Sequence, residues 1–232
     1  MKRMSLIISL VMLFALSGTA QNGNFRFGLK LLGPNFSWAG PCSKMTENHG
    51  ARLGFGTGII VDYHLTKVFI ASTGVDFNFC RMKYDFTDYR IPDDFLVEEE
   101  VMVSRRLKSS NLEIPIKVRA RFNVADSFGI FVEAGIGLGF NLKDYVKDEY
   151  KLQQWVNYHS EFYEDYTNQY RAFQPSMLFG FGGDFEINRK LSVFIQLSYH
   201  HTLSNAFTKA LAERTGSKLF NNFIGIELGI MH

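Results

Sequence analysis

The sequence predicts an all-β fold: an eight-stranded antiparallel up-and-down transmembrane β-barrel preceded by a cleavable signal peptide. Three observations carry that expectation. Segments alternate apolar and polar residues with a period of two, glycine gathers on one side of the alternation, and the connections alternate short and long.

The N-terminus of the 232-residue chain is set apart from the rest. Lys2 and Arg3 precede an apolar run from Met4 to Leu16, and the small residues Gly18 and Ala20 precede Gln21. That layout predicts a signal peptide over 1–20 and a barrel domain over 21–232. The competing reading, a membrane anchor, needs ~20 apolar residues, and this run is shorter. No Cys follows the cut site, so no lipid anchor is expected there. Cleavage removes two basic and no acidic residues, leaving 23 Lys+Arg against 23 Asp+Glu. A neutral mature chain gives no electrostatic case for nucleic-acid binding.

Eight alternating segments follow, at 25–31, 53–63, 69–79, 112–122, 128–140, 177–187, 191–199 and 224–230. On one side they carry runs such as Leu53, Phe55, Thr57, Ile59, Val61 and Tyr63, or Leu191, Val193, Ile195, Leu197 and Tyr199. None of the 44 positions on that side is charged, although 21% of the chain is. The other side holds the ionisable groups: Arg26, Lys30, Arg52, Lys117, Arg119 and Arg121, with Asp62, Asp76, Glu113, Glu133, Asp184, Glu186 and Glu227. In a soluble sandwich the uncharged side would be the core; in a membrane barrel it would face lipid. Glycine separates the two. Gly28, Gly54, Gly56, Gly58, Gly74, Gly129, Gly135, Gly137, Gly139, Gly180, Gly182, Gly225 and Gly229 share the charged side. A solvated strand face has no steric need of them, whereas a narrow barrel interior does.

The links sort in the same way. Short ones fall near 64–67, 123–127 and 188–190. Long ones fall at 33–50, 83–107, 143–172 and 203–219. Short periplasmic turns and long external loops characterise bacterial outer-membrane barrels. Tyr63, Phe69, Phe122, Phe128 and Phe185 lie near the short-turn ends, and Phe79, Tyr84, Phe140, Tyr145, Phe173 and Tyr199 near the loop ends. Aromatic girdles occupy those two depths. Pro115, inside the fourth segment, predicts a bulge or a broken ladder.

Asn111–Phe122 reads NLEIPIKVRARF, and 131–140 reads FVEAGIGLGF; GARLGFGTGIIVDY (50–63) and STGVDFNF (72–79) come earlier. Together these resemble the PorT-like family of outer-membrane barrels of Gram-negative bacteria, along the whole barrel. The resemblance implies a cell-outer-membrane protein, and its namesake's link to protein secretion implies a secretion or envelope complex as one role. The last segment, with Ile224, Ile226, Leu228 and Ile230, resembles the signal read by the barrel-insertion machinery. It departs from that signal by ending in His232 rather than an aromatic residue.

No motif for catalysis or cofactor binding stands out: no Cys pair at metal spacing, no HExxH, no GxxxxGK, no GxSxG. No cofactor or metal is expected. Gly135, Gly137 and Gly139 imitate a dinucleotide loop, but Phe140 stands where the third glycine belongs. The neighbours His200 and His201 must point to opposite faces. Ser198, His200 and Glu227 are the candidates for a lipid-modifying enzyme at the rim; a hydrogen-bonded lumen histidine is the favoured reading. Six basic and seven acidic lumen groups nearly cancel. This predicts a salt-bridged plug rather than a selective pore, because eight strands enclose only enough space for side chains.

Cys42 and Cys80 fall on the loop side as a candidate disulfide. Asp85, Asp88, Asp93, Asp94 and Glu98–Glu100 make the second loop acidic, without calcium-loop spacing. Trp155, Tyr158, Phe162, Tyr166 and Tyr170 recur at steps of three or four. That stripe could pack over the mouth, extend as a hairpin, or form a contact surface; packing or a hairpin is preferred. The expectation is a monomeric, non-enzymatic structural, adhesive or accessory envelope protein. A secretion or envelope component, a lipid-modifying enzyme and a soluble ligand-binding barrel remain alternatives.

Overall fold

The computed structural model describes residues 25–39, 45–48, 52–90, 99–151, 162–165, 170–188, 191–209 and 220–232. The expected signal peptide, Cys42, Trp155, Tyr158 and Tyr166 lie outside them. The strands in chain order are β1 (Phe25–Ala39), β2 (Met45–Asn48), β3 (Arg52–His64), β4 (Phe69–Arg90), β5 (Glu99–Ala125), β6 (Phe128–Lys151), β7 (Phe162–Asp165), β8 (Phe173–Asn188), β9 (Leu191–Thr202) and β10 (Asn221–Met231). Eight of them form a closed ring, β1-β3-β4-β5-β6-β8-β9-β10, with β10 returning to β1, and every pairing is antiparallel. β2 adds to β4 and β7 to β6, outside the ring.

Closure pairs the start of β1 with the end of β10 at one pole, where Phe27 and His232 exchange backbone hydrogen bonds of 2.9 and 2.7 Å. The short turns β3–β4, β5–β6 and β8–β9 lie at the same pole. In the first, Thr66 Oγ1 accepts from the backbone N–H of Val68 and Phe69 at 3.2 and 2.9 Å, fixing the reversal.

The two faces are inverted relative to a water-soluble protein. Leu31 is 64% exposed, Phe181 58%, Phe55 57% and Ile195 56%, while Lys30 and Glu227 are 2% exposed and Asp76 1%. Period-two alternation in a closed sheet leaves only this choice: the uncharged positions coat the outside, and the ions fill the lumen. Aromatic pairs ring both ends of that coat, with Phe25 and Tyr63 at 4.7 Å near the turns and Phe55–Phe79 and Phe140–Phe173 at 4.9 and 5.5 Å toward the other end.

Two prolines perturb the ladder. Pro115 keeps register with Gly137 of β6, but on the β4 side the paired register jumps from Thr73–Ile116 to Asp76–Glu113 without shifting. The ladder is interrupted rather than bulged, and Thr73 Oγ1 donates to Pro115 O at 2.8 Å beside the gap. Register shifts fall elsewhere, among them one in β5 between Ser110 and Asn111, against β6, and one in β1, between Leu32 and Asn35, against both neighbours. That interval holds Gly33 and Pro34, and a residue without an N–H is accommodated where the ladder slips by one.

The long links are shorter than the sequence suggests, because the strands run on. β4 and β5 pair out to Arg90–Glu99, and β5 and β6 to Met102–Lys151. Beyond the lipid band neither face of a hairpin needs to be apolar, so the alternation fades although the backbone pairing continues. The result is one tall wall, ordered β2-β4-β5-β6-β7.

Glycine shows why the ring can be filled. Lys30 of β1 is in register with Gly58 of β3, and Gly58 with Asp76 of β4, so the lysine reaches over the glycine to the aspartate. A Cβ at Gly58 would collide with Asp76 Oδ1 and press on the Lys30 stem. Gly58→Val should therefore cost ~1–3 kcal/mol from overpacking alone, read as a lower urea midpoint in refolding into detergent micelles, with an unchanged midpoint contradicting this packing.

Candidate functional site

The lumen is built from inward positions of all eight ring strands. Lys30 Nζ lies 2.8 Å from Asp76 Oδ2 and 3.2 Å from Glu227 Oε2. Across the ring, Lys117 Nζ lies 2.5 Å from Glu133 Oε1, and Arg119 joins Glu133 Oε2 and Asp62 Oδ2, each at 3.0 Å. Gln196 Nε2 donates to Glu133 Oε1 at 2.9 Å. Nearer the short turns, Arg121 bridges Asp184 and Glu186 at 2.9 Å each, and Arg26 donates to Ser192 Oγ at 3.1 Å. Twelve of the thirteen ionisable residues expected in the lumen have described side chains, and all twelve take part; the Arg52 side chain is outside the described set.

The chemistry of this arrangement is cohesion. Charges withdrawn from water must be paired, since an isolated buried ion costs several kcal/mol. Several of these side chains have glycine beside them: Lys30 faces Gly58 and Gly229, Lys117 faces Gly135, Glu133 faces Gly180, and Asp184 faces Gly129. Glycine thus makes room mainly for the adjacent strand's ion, a more local role than reaching across the barrel. A Cβ at Gly180 would strike Glu133, and one at Gly137 would overlap Glu113 and Ser176.

An apolar layer completes the plug, and the sequence reading missed it. Ile60, Phe131, Phe194 and Met231 form one buried cluster on the same inward face, toward the short-turn pole. The Arg119 guanidinium lies 4.3 Å over the Phe131 ring and 5.6 Å from Phe194, joining the ionic and apolar layers. The signal was available, since these four residues occupy the phase of the charged groups.

His200 takes the lumen side and His201 the outer side, as neighbours on a strand must. His200 Nδ1 lies 3.2 Å from Glu113 Oε2, without hydrogen-bond alignment, and its Nε2 lies 3.9 Å from Glu227 Oε1. Its ring stacks on Phe223 at 3.8 Å. Ser198 Oγ donates to Gly225 O at 3.3 Å rather than to His200. The Ser198, His200 and Glu227 set is therefore a group of interior side chains, 4%, 4% and 2% exposed, not a rim nucleophile and base open to lipid. Ser176 Oγ donates to Glu113 Oε1 at 2.5 Å.

The remaining expectations divide. Cys80 is buried at the outer part of β4, and its expected partner Cys42 falls outside the described residues. Of the acidic loop, Asp85 and Asp88 belong to β4 and Glu99 and Glu100 to β5, while Asp93, Asp94 and Glu98 lie outside the described residues. Asp85 is 2% exposed, so it is not a solvated loop carboxylate. Among the described residues no three His, Cys, Asp or Glu gather as a metal site. The aromatic stripe is not one helical face: Phe162 starts β7, which pairs with β6 as a hairpin, and Tyr170 is buried against Phe207 with ring centroids 5.7 Å apart.

A family model described as an outer membrane protein beta-barrel domain matches residues 19–208. No curated protein matches the chain. Among solved structures, the chain is similar to Neisserial surface protein A at 11% identity and a TM-score of 0.42, covering 89% of this chain and 95% of that one. OprG from Pseudomonas aeruginosa gives 10% identity and a TM-score of 0.37, covering 90% and 96%. Ail of Yersinia pestis gives 11% identity and a TM-score of 0.30, covering 90% and 99%.

The Lys30 triad generates a sharp expectation. Lys30→Ala leaves Asp76 and Glu227 as uncompensated interior carboxylates and should lower stability by ~3–5 kcal/mol. Adding Asp76→Asn and Glu227→Gln should recover much of that loss. Urea unfolding in lipid vesicles measures both; losses that simply add would show the three residues to be uncoupled.

Proposed function

We propose, on the premise that this chain belongs to the outer membrane protein β-barrel domain family, that it is a non-enzymatic envelope protein working through its external surface rather than through its lumen. The protein resides in the outer membrane. The observation that carries the reading is the filled interior: ion pairs from seven of the eight ring strands, with Ser192 and Gln196 of β9 hydrogen-bonded to Arg26 and Glu133, backed by the Ile60, Phe131, Phe194 and Met231 layer. A diffusion pore needs an open aqueous path, and a selective pore favours a ring of one charge sign. Interlocked charges of both signs serve neither purpose. Burial of His200 beneath the barrel wall likewise removes the group on which lipid chemistry would depend.

What remains for function is the tall outer wall. It carries the longest strands of the molecule, β4 of 22 residues, β5 of 27 and β6 of 24, and its β-pairing continues past the point where the other ring strands end. A structural, adhesive or accessory role at the cell surface follows from presenting such a wall. A second reading, the secretion or envelope complex implied by the PorT-like resemblance, is favoured by one feature. Among the described residues β2 and β7 are each paired on one side, and a sheet edge can accept a partner strand.

The purified protein in planar lipid bilayers should give no stepwise ion conductance under conditions in which an open porin does. Regular conductance steps would overturn the plugged-lumen reading and restore a channel.

A further inference from the structure

Glu113 of β5 is the lumen carboxylate whose cation is a histidine. Each described lysine and arginine of the ionic lumen is engaged elsewhere: Lys30 with Asp76 and Glu227, Lys117 with Glu133, Arg119 with Asp62 and Glu133, Arg121 with Asp184 and Glu186, and Arg26 with Ser192. Against Glu113 Oε2 stands Nδ1 of His200 from β9, at 3.2 Å, and neither atom has a hydrogen-bond partner of its own. Ser176 Oγ holds the other carboxylate oxygen. The charge count agrees. Six basic and seven acidic residues occupy the inward positions, so a protonated His200 makes the two signs equal. A buried ionised carboxylate needs a cation beside it, and the imidazole is the group in place.

The groups around His200 decide what loss of its proton does. Its ring stacks on Phe223 of β10, and its Nε2 lies 3.9 Å from Oε1 of Glu227, a carboxylate that Lys30 of β1 already holds. Lys117 of β5 shares its row around the ring and is bound to Glu133 of β6. From β8 it meets Ser176 and Leu178, and along β9 Ser198 and Thr202, none of them charged. Asp76 of β4 lies directly opposite Glu113. Two carboxylates in register repel; Lys30 compensates one and His200 the other. Pairing is missing immediately beside them, between Thr73–Ile116 and Asp76–Glu113, where Pro115 has no N–H to give. Repulsion between Asp76 and Glu113 therefore acts where the β4–β5 ladder is already interrupted.

The lumen is layered so that protons reach His200 from one side. Between it and the external end, the inward positions of β4, β5, β8 and β9 are neutral and hydrogen-bonding: Asn78, Ser109, Asn111, Gln174, Ser176 and Thr202. Toward the short turns, at the periplasmic pole, the Ile60, Phe131, Phe194 and Met231 layer closes the way. We propose that the His200–Glu113 contact is a lock set by the acidity of the external medium: the imidazolium ties β9 to β5 and keeps the β4–β5 seam closed, and the neutral imidazole leaves Glu113 facing Asp76 and lets the seam widen. A histidine held by a carboxylate contributes its link while charged and loses it as pH rises through its titration. The lock goes beyond the proposed surface role and rests only on the filled lumen; stepwise conductance by the wild type at about pH 6 would sink that premise independently of the lock.

Nitroxides on Val75 and Ile114 read the seam, since by count these residues stand opposite one another on the lipid side of the interruption. Spin–spin broadening is recorded for the barrel in lipid vesicles equilibrated at about pH 6 and at about pH 10, so that the imidazole changes charge between them. Four lumens are compared: wild type, Glu113→Gln, His200→Gln and the double variant. The wild-type lumen should show a close pair at the lower pH and a widened one at the higher, the separated population rising on the order of tenfold. His200→Gln should be wide at both. Glu113→Gln should stay close at both, and so should the double variant, because no carboxylate is left facing Asp76. Glu113→Gln keeps the histidine and its stack on Phe223, so it tests the lock whether or not His200→Gln folds. A wild-type seam that does not change between the two conditions would overturn the proposal. So would widening of Glu113→Gln at the higher pH, which would assign the response to another group. A close pair in His200→Gln at the lower pH, or a wide pair in the double variant, would overturn it as well, the last by making His200 a packing residue alone.

Discussion

Lys30 sits between Asp76 and Glu227, reached across a glycine, with every one of these charges withdrawn from water. Most of the architecture is a condition for that contact. The ions can be interior only because the opposite face of every strand is apolar, and the apolar face can be exterior only because hydrocarbon meets it. In water the same chain would expose Leu31, Phe55 and Phe181 while burying Lys30, Arg119 and Glu133, a combination that neither solvent preference nor ion pairing supports. The membrane is thus part of the fold's energetics: it takes up the apolar coat, and pairing makes the enclosed charges tolerable.

Pairing also supplies specificity of register. A slip of one residue would turn an entire strand inside out and place Lys30 or Arg119 in lipid. The salt bridges join strands far apart in sequence, β1 to β10 and β5 to β3 and β8, as well as the successive strands β5 and β6. They therefore link the first and last strands of the ring as well as neighbouring hairpins. The apolar cluster at the short-turn pole, capped by Arg119, does the same from below. The filled interior and the precision of closure are one property, which leaves the external wall free to carry whatever the protein does for the cell.

Much of this was legible in the sequence, for a physical reason. Alternation at period two survives wherever a strand separates two solvents, so Leu29 and Leu31 against Lys30, or Ile195 and Leu197 against Gln196, declare both strand and facing. Glycine on the ionic side declared a crowded interior. Partners within the lumen were not legible, because Lys30, Asp76 and Glu227 meet only after β10 closes onto β1. The inward apolar residues Phe131 and Phe194 hid among charges on the same face. The heights of β4, β5 and β6 were hidden as well, since beyond the lipid band alternation is no longer enforced: Arg81 and Lys108 read as loop although they are paired strand. Of the two perturbing prolines, Pro115 stands inside an alternating segment and is conspicuous there, whereas Pro34 lies beyond one; a register shift falls around Pro34, where Gly33 precedes it in β1.

The central claim is that the uncharged face touches hydrocarbon. Single nitroxide labels at Phe181, Ile195, Leu197, Ile226 and Leu228, in the barrel reconstituted into lipid vesicles, test it most directly. Collisions with dissolved oxygen should exceed those with a water-soluble nickel chelate at all five positions, with the contrast greatest midway along the strands. Ready access of the nickel chelate to these positions, at the level of an aqueous loop, would contradict the account.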